Sequence, residues 1–209
     1  MNIRLKKEEK RKVKGVGDLY TILQRILMRE SKTDRNREHF WTVSLDSANR
    51  ILNIEMISMG AVNHVIVEPM EVFSIPLQKR SVKIVLVHNH PSGELNPSET
   101  DEDVTDRLIQ VGRIMKVPVA DHLIISETSF YSFALSGLLE KLQKSLKYVP
   151  AYEIKEQYEI MAEKAGVKKG KKEMALEMAR AMKKKGYNIE EIIELSGLTK
   201  ATIQRIRVK

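Results

Sequence analysis

The chain of 209 residues contains no cysteine, which excludes disulfide bonds and thiolate metal sites. Any metal ion must therefore be bound by His, Asp and Glu side chains. No stretch approaches the roughly 18 apolar residues that a membrane-spanning helix requires. The first residues, MNIRLKK, also lack the apolar region of a signal peptide. The lack of a signal peptide and of a membrane span predicts a cytoplasmic protein without a membrane partner. The lack of cysteine does not by itself fix a compartment, and the oligomeric state stays open.

The composition is that of a globular protein with charged ends. Hydrophobic residues make up 42% of the chain and charged residues 31%. The net charge of +8 is uneven: residues 1–14 hold seven Lys and Arg against two Glu, and residues 151–209 hold fourteen basic against nine acidic residues. Basic ends are typical of contact with nucleic acid or another polyanion, and equally of tails that only increase solubility. The sequence leaves both readings open.

Alternating helical and strand patterns predict an α/β layered domain over residues 15–147. A basic, disordered arm is predicted before it, over 1–14, and an all-helical region after it, over 148–209. The predicted elements of the domain are a helix over 16–28, a polar loop over 31–37, strands over 40–45 and 50–59 that form a hairpin, a helix over 70–79, an apolar central strand over 81–87, a helix over 98–115 with Val104, Leu108, Val111 and Met115 on its buried side, and strands over 117–125 and 130–133.

Two histidines stand at the end of the apolar central strand. His88 and His90 are two residues apart, so in an extended chain both side chains point the same way. Asp101 follows in the first turn of the next predicted helix. Two imidazoles and a carboxylate form a zinc ligand set that leaves a coordination position open for water.

Each part of this pattern also has a structural interpretation. A single His-x-His at a strand end is more often structural, and Ser98-x-x-Asp101 is also the pattern of a capping box at a helix start. Their occurrence together, directly after an apolar strand, favours a metal site. Of the other histidines, His122 fits either a structural role or a contact with a ligand, while His39 and His64 are predicted to be structural.

The spacing of His88, His90, Ser98 and Asp101 resembles the JAMM motif of MPN-type zinc metalloproteases. The chain is most similar to the RadC subfamily of this group. The residues that carry the closer resemblance are His88-Asn89-His90-Pro91-Ser92-Gly93, Glu71-Val72-Phe73 before it, and Asp121-His122-Leu123-Ile124-Ile125 after it. The resemblance covers roughly residues 17–140.

The resemblance implies a three-layer α/β/α, cytidine-deaminase-like domain that binds Zn²⁺ through His88, His90 and Asp101. It further implies that Glu38 acts as the base on a zinc-bound water and that Ser98 stabilises the oxyanion. These roles agree with general chemistry, in which a base takes the proton of the water and the metal and a hydroxyl stabilise the developing negative charge. Glu71 is the reserve candidate for the base. The implied activity is hydrolysis of a peptide or isopeptide bond, with a peptide or protein as substrate.

In the C-terminal region a break is predicted at Lys168–Lys172, followed by three short helices separated by Gly186 and Gly197. Asn188 and Thr199 are candidate helix caps, and the last helix combines Ile203 and Ile206 on one side with basic residues on the other. A helix, a short glycine turn and a basic helix resemble a helix-turn-helix, and they also fit a small helical bundle for protein contact whose basic residues are only solvated. The alternative function is therefore that of a DNA-associated accessory protein, in DNA repair or on a mobile element, that binds nucleic acid through its basic ends. A catalytically silent scaffold is disfavoured because the ligand set is complete.

Overall fold

The computed structural model describes residues 12–60, 67–164 and 168–207. The chain divides into two compact units, Met1–Ser145 and Leu146–Lys209. The described elements of the first unit are α1 (Val16–Leu27), α2 (Lys32–Arg35), β1 (His39–Leu45), β2 (Ile51–Met59), α3 (Pro69–Gln78), β3 (Lys83–Asn89), α4 (Glu99–Ile114), β4 (Val119–Ile125), β5 (Phe130–Ser132) and α5 (Leu138–Gln143).

A five-stranded mixed sheet forms the centre of the first unit, with the strand order β2-β1-β3-β4-β5. β1 pairs antiparallel with β2, which confirms the predicted hairpin, and antiparallel with β3 on its other side. β3 pairs parallel with β4, and β5 closes the far edge antiparallel to β4. The apolar strand predicted over 81–87 is therefore the central one, as a run covered on both faces requires.

Helices cover both faces of the sheet, and alternation within each strand divides the core accordingly. On one face, Val85 and Val87 of β3 pack in a cluster with α1. On the other face, Ile84 and Leu86 pack with α3 and α4. The predicted mixed α/β class, a sheet flanked by helices, is confirmed.

Four details of the sequence prediction were wrong. The loop predicted over 31–37 contains α2, whose start is capped by Ser31 accepting a hydrogen bond from the Asp34 N–H. Val13 is buried in the core and Lys12 bridges to Arg50, so residues 12–14 belong to the domain rather than to the predicted arm. Residues 1–11 lie outside the described part of the chain.

The other two corrections concern helices. Met115, predicted to be buried, is 46% exposed, because the buried side of α4 is centred on Thr105, Leu108, Ile109 and Gly112. The break predicted at Lys168–Lys172 is not present there, since α7 begins at Lys168.

The described elements of the second unit are the helices α6 (Ala151–Lys164), α7 (Lys168–Lys184), α8 (Ile189–Ser196) and α9 (Lys200–Arg205). They share a small core that includes Met182, Ile192 and Ile203. Asn188 forms a capping box at the start of α8, and Thr199 caps α9, as predicted. Throughout the described chain, no helix combines the length and the apolar character needed to cross a membrane.

Candidate metal centre

The carboxyl end of the central strand carries the first two predicted ligands. His88 is the penultimate residue of β3, and His90 follows the end of the strand. Asp101 approaches both from the first turn of α4. One donor atom from each of these residues lies within 4.8 Å of the other two. The fold thus brings together the three side chains that the sequence singled out.

The two carboxylate oxygens of Asp101 make different contacts. Oδ2 accepts hydrogen bonds from the backbone N–H of Ser98 at 2.8 Å and from its hydroxyl at 2.7 Å. The Ser98 hydroxyl in turn accepts from the Asp101 N–H at 3.1 Å, which completes a capping box. Oδ1 lies 3.1 Å from Nε2 of His88. Nε2 of His90 lies 3.6 Å from Oδ2. The capping box and the contact with His88 therefore use different oxygens, while His90 faces the oxygen of the capping box.

Both histidines direct Nε2 into the cluster, and these two atoms are 2.9 Å apart. Nδ1 of His90 lies 2.6 Å from the carbonyl oxygen of Glu94. A carbonyl can only accept a hydrogen bond, so Nδ1 carries the proton and Nε2 of a neutral His90 presents a lone pair. On the other side, Nδ1 of His88 lies 2.8 Å from Nε2 of His122.

Electrostatics in the cluster favour positive charge. Burial opposes ionisation of Asp101, yet its hydrogen bonds with His88 and His90 hold the pKa of this carboxyl well below its usual value. The hydrogen bond with Asp101 raises the pKa of His90; burial acts in the opposite direction, and the Glu94 carbonyl adds to the increase. A carboxylate that stays ionised beside two imidazoles is suited to hold a cation.

The donor set fits a divalent metal ion. When both imidazoles are neutral, their Nε2 atoms are 2.9 Å apart and both face the Asp101 carboxylate, His88 at Oδ1 and His90 at Oδ2, so the lone pairs of all three groups repel one another. A cation between them removes this repulsion. Two imidazole nitrogens and one carboxylate oxygen are ligands that zinc and related ions accept, and three protein ligands leave further positions open.

Glu38, the residue directly before β1, lines the same cavity. Phe40 pairs with His88 in the antiparallel ladder, so in this register residue 38 falls opposite residue 90. The charge of Glu38 contributes to the raised pKa of His90. The cavity has a volume of about 400 Å³, and the residues lining it include Glu38, Phe40, Val67, His88, His90, Ser98, Asp101, Val104 and His122. Glu71 is exposed in the first turn of α3 and is not among the residues described as lining this cavity.

Asn89, which the sequence analysis did not single out, fixes the backbone around Glu38. Its side-chain oxygen accepts from the His39 N–H at 2.8 Å, and its Nδ2 donates to the Arg37 carbonyl at 3.0 Å. The Glu38 carbonyl accepts from the Gly60 N–H on the other side. A polar residue within an apolar central strand was the signal in the sequence.

Two further polar residues lie behind His88, and Thr105 was missed by the sequence analysis. His122 is fully buried, and burial, followed by the charge of His88, lowers its pKa well below the usual value. Thr105 lies one helical turn after Asp101, and its hydroxyl is 2.6 Å from Nδ1 of His122. The signal in the sequence was that Thr105 follows Asp101 by four residues, a spacing that places both on the same side of a helix.

His39, the other described histidine, is not part of the cluster. His39 is buried and stacks on Trp41, with ring centroids 5.1 Å apart and planes inclined by 4°. His64 lies outside the described residues.

Comparison with known proteins gives a family match over the first unit. The model of the RadC-like JAB domain family matches residues 16–138. A UPF0758 protein of Chlorobium chlorochromatii (strain CaD3) is 36% identical over 129 residues, which are 62% of this chain and 56% of the relative. A UPF0758 protein of Methanosarcina barkeri (strain Fusaro / DSM 804) is 39% identical over 132 residues, which are 63% of this chain and 56% of the relative.

The share of the relatives that is matched varies. A UPF0758 protein of Pelodictyon phaeoclathratiforme (strain DSM 5477 / BU-1) is 34% identical over an alignment of 158 positions, which covers 63% of this chain and 71% of the relative. The chain therefore spans little more than half the length of two of these three relatives.

Proposed function

The chain belongs to the RadC-like JAB domain family, and from this premise we propose that it is a zinc-dependent hydrolase that cleaves a peptide or isopeptide bond. The observation that carries the proposal is the convergence of His88, His90 and Asp101 within 4.8 Å, with both Nε2 atoms directed inward. Helices on both faces of the sheet support the finer assignment to the three-layer, cytidine-deaminase-like group.

The residues that would hold the ion are His88, His90 and Asp101. When bound, a zinc ion at such an open site lowers the pKa of water to near neutrality and polarises a carbonyl group. The apolar wall of the cavity, formed by Phe40, Val67 and Val104, limits access of bulk water and suits an apolar part of the substrate.

Glu38 is the proposed base. Its carboxylate takes a proton from the attacking water as the new C–O bond forms, and it returns a proton to the amine nitrogen as the C–N bond breaks. Ser98 is the proposed donor to the oxyanion. Its hydroxyl proton points at Asp101 in this structure, so it must rotate toward the substrate to serve this role.

Metal content of the purified full-length protein tests the site. We expect about one zinc per chain in the wild type and a loss of zinc in His88→Ala and Asp101→Asn, because each removes one of three ligands. Glu102→Gln is the matched control: it removes the next carboxylate along α4, which pairs with Lys141, and should keep its zinc. A wild type free of zinc after metal reconstitution would refute the proposal.

The base is tested by Glu38→Gln. This variant should bind zinc as tightly as the wild type and lose hydrolysis by about 100-fold or more, the usual contribution of a general base. Peptide mixtures incubated in H₂¹⁸O, with new carboxyl termini read by mass spectrometry, give the measurement. Undiminished hydrolysis would assign the base to another residue, and zinc binding without any hydrolysis in the wild type would indicate a metal-holding scaffold.

A second function, DNA binding, is favoured by one feature of the second unit. The helices α8 and α9 are joined by a turn with Gly197 in the left-handed region, at φ 66°. Ile203 faces the core of the unit, while Lys200, Gln204 and Arg205 are exposed on α9. A helix-turn-helix presents this kind of exposed basic and amide surface to DNA.

Charge reversal on α9 tests this second function. We expect wild-type affinity for duplex DNA to fall steeply with salt, and Lys200→Glu with Arg205→Glu to abolish most of it. Lys184→Glu, an exposed lysine on α7, is the matched control for a change in overall charge. Fluorescence anisotropy of a labelled duplex gives the measurement, and equal affinities for all proteins would refute a specific role for α9.

A further inference from the structure

A chain of buried hydrogen bonds leads away from the metal centre and returns to the helix that supplies Asp101. Nδ1 of His88 lies 2.8 Å from Nε2 of His122, and Nδ1 of His122 lies 2.6 Å from the hydroxyl oxygen of Thr105. That hydroxyl lies 2.5 Å from the main-chain carbonyl oxygen of Asp101. His88, His122 and Thr105 are all buried, so water does not compete for these bonds.

The last hydrogen bond of this series, between Thr105 and the Asp101 carbonyl, determines which atom donates in each of the others. The carbonyl oxygen of Asp101 can only accept, and the Thr105 hydroxyl has a single proton to donate. That proton must lie between the two oxygens, since otherwise their lone pairs would meet at 2.5 Å. The Thr105 oxygen is then an acceptor toward His122, and the proton of the His122 ring is on Nδ1.

The protonation of His88 follows in the same way. His122 is enclosed between Phe40 and Phe133, with ring centroids at 5.6 and 4.8 Å, where a charged imidazolium would be costly. A neutral ring with its proton on Nδ1 presents a lone pair at Nε2. Nδ1 of His88 must therefore donate to it, which leaves Nε2 of His88 without a proton, facing Asp101 and His90.

We propose that Thr105 and His122 are positioning residues that set the tautomer of His88, so that its Nε2 atom is free to bind the metal ion. The inference rests on the proposed metal site. His90 needs no such support, because its own loop supplies the Glu94 carbonyl to its Nδ1 atom. Helix α4 thus contributes one ligand, Asp101. Through Thr105, one turn later, it also sets the tautomer of a second ligand, His88.

The proposal predicts a defined defect when the anchor is removed. In Thr105→Val the His122 ring loses its acceptor at Nδ1 and is free to carry its proton on Nε2 instead. That proton would be donated to Nδ1 of His88, and His88 would then hold its own proton on Nε2. The metal ion and this proton compete for the same atom.

Zinc affinity, measured in competition with a chromophoric chelator, is the first readout. We expect Thr105→Val to weaken zinc binding by about 10- to 100-fold, as loss of a hydrogen-bonding partner of a ligand usually does, and Thr105→Ser to restore it. Thr42→Val is the matched control, since Thr42 is equally buried on β1 and its hydroxyl has no hydrogen-bond partner among the described residues. It should bind zinc like the wild type. Equal zinc affinity of Thr105→Val and Thr42→Val would overturn the proposal.

The second readout is the histidine tautomer in the metal-free full-length protein, from long-range ¹H–¹⁵N correlation spectra. Wild type and Thr105→Ser should carry the ring proton on Nδ1 at both His88 and His122, whereas Thr105→Val should shift it to Nε2. A proton on Nε2 of both rings in the wild type would refute the inference. Because this measurement needs no metal, it tests the inference even if the wild type binds no zinc, in which case only the proposed function fails.

Discussion

At His90 a proton and a metal ion compete for the same Nε2 atom. The hydrogen bond with Asp101 raises the pKa of His90, so the metal-free protein holds a proton there more strongly than a free imidazole does. Asp101 itself stays ionised, because the same contacts keep the pKa of its carboxyl low. Zinc must displace the proton from His90, and zinc affinity should therefore rise with pH.

The stability of the metal-free protein should depend on pH because of the raised pKa of His90. A pKa raised above the unfolded value of 6.5 contributes stability that is fully present below pH 6.5 and is lost as the pH rises through the folded pKa. We therefore expect the wild type to lose stability above pH 6.5, and His90→Gln to lose less. Thermal unfolding of both metal-free proteins across this pH range gives the measurement.

His122, which both the wild type and His90→Gln contain, changes stability with pH in the opposite direction. Its pKa is lowered by burial and by the charges of His88 and His90, so its contribution is lost as the pH falls below 6.5, whereas the contribution of His90 is lost above 6.5. The two contributions therefore fall in different pH ranges. Asp101, with its low pKa, contributes above pH 3.8 and loses stability only below that value. Parallel pH profiles of the wild type and His90→Gln would contradict the assignment of the raised pKa to His90.

Among the elements, α4 supplies both Asp101 and Thr105 to the site. The packing of α4 on the sheet therefore determines where Asp101 lies. Gly112 lies where α4 crosses the start of β4: a Cβ at this position would be 2.7 Å from the Val117 carbonyl oxygen and 3.3 Å from the ring of Phe73. No larger residue fits without a shift of the helix. The predicted buried side of α4, which ended at Met115, missed this contact because a glycine carries no hydrophobic signal.

Substitution of this glycine tests the close approach of α4. Gly112→Ala should lower the free energy of unfolding by about 1–2 kcal/mol, because overpacking outweighs the better helix propensity of alanine. Gly17→Ala in α1 is the matched control: its Cβ would meet nothing within 4 Å, and alanine should stabilise by about 0.5–1 kcal/mol. Denaturant unfolding followed by the fluorescence of Trp41, the single tryptophan, measures both. Equal effects of the two changes would contradict this account of α4.

On the scale of the whole molecule, the described residues form three hydrophobic clusters, two in the first unit and one in the second, and no residue belongs to clusters of both units. The first unit is organised around both faces of the sheet, and the second around Met182, Ile192 and Ile203. The family match ends at residue 138, within the first unit. The metal centre and the basic helix α9 therefore belong to separately packed parts of the chain.

Separate cores predict separable effects of mutation. Met182→Ala should destabilise the second unit by about 2–5 kcal/mol, the usual cost of truncating a buried methionine, and leave zinc content and the Trp41 unfolding midpoint unchanged. Met70→Ala, at a methionine that is 76% exposed, should change neither unit measurably. Hydrogen exchange read by mass spectrometry resolves the two units. A matching fall in the Trp41 midpoint would show that the units unfold together.

The sequence by itself determined most elements and the identity of the candidate ligands. The apolar run over 81–87 predicted a strand covered on both faces, and the spacing of His88, His90 and Asp101 is a local property of a strand, a turn and a helix start. Caps at Ser98, Asn188 and Thr199 were predicted for the same reason, because a cap involves residues only three or four positions apart.

Only the tertiary structure decided what surrounds those ligands. Glu38 shares a cavity with His90 because of the antiparallel register of β1 and β3, and His122 meets His88 because β4 lies parallel to β3. Thr105 joins them only through the packing of α4 on the sheet. Such contacts link residues that are 17 to 52 positions apart in the sequence. Helix and strand periodicity relates only residues a few positions apart, so these contacts depend on strand pairing and on the packing of the helix against the sheet.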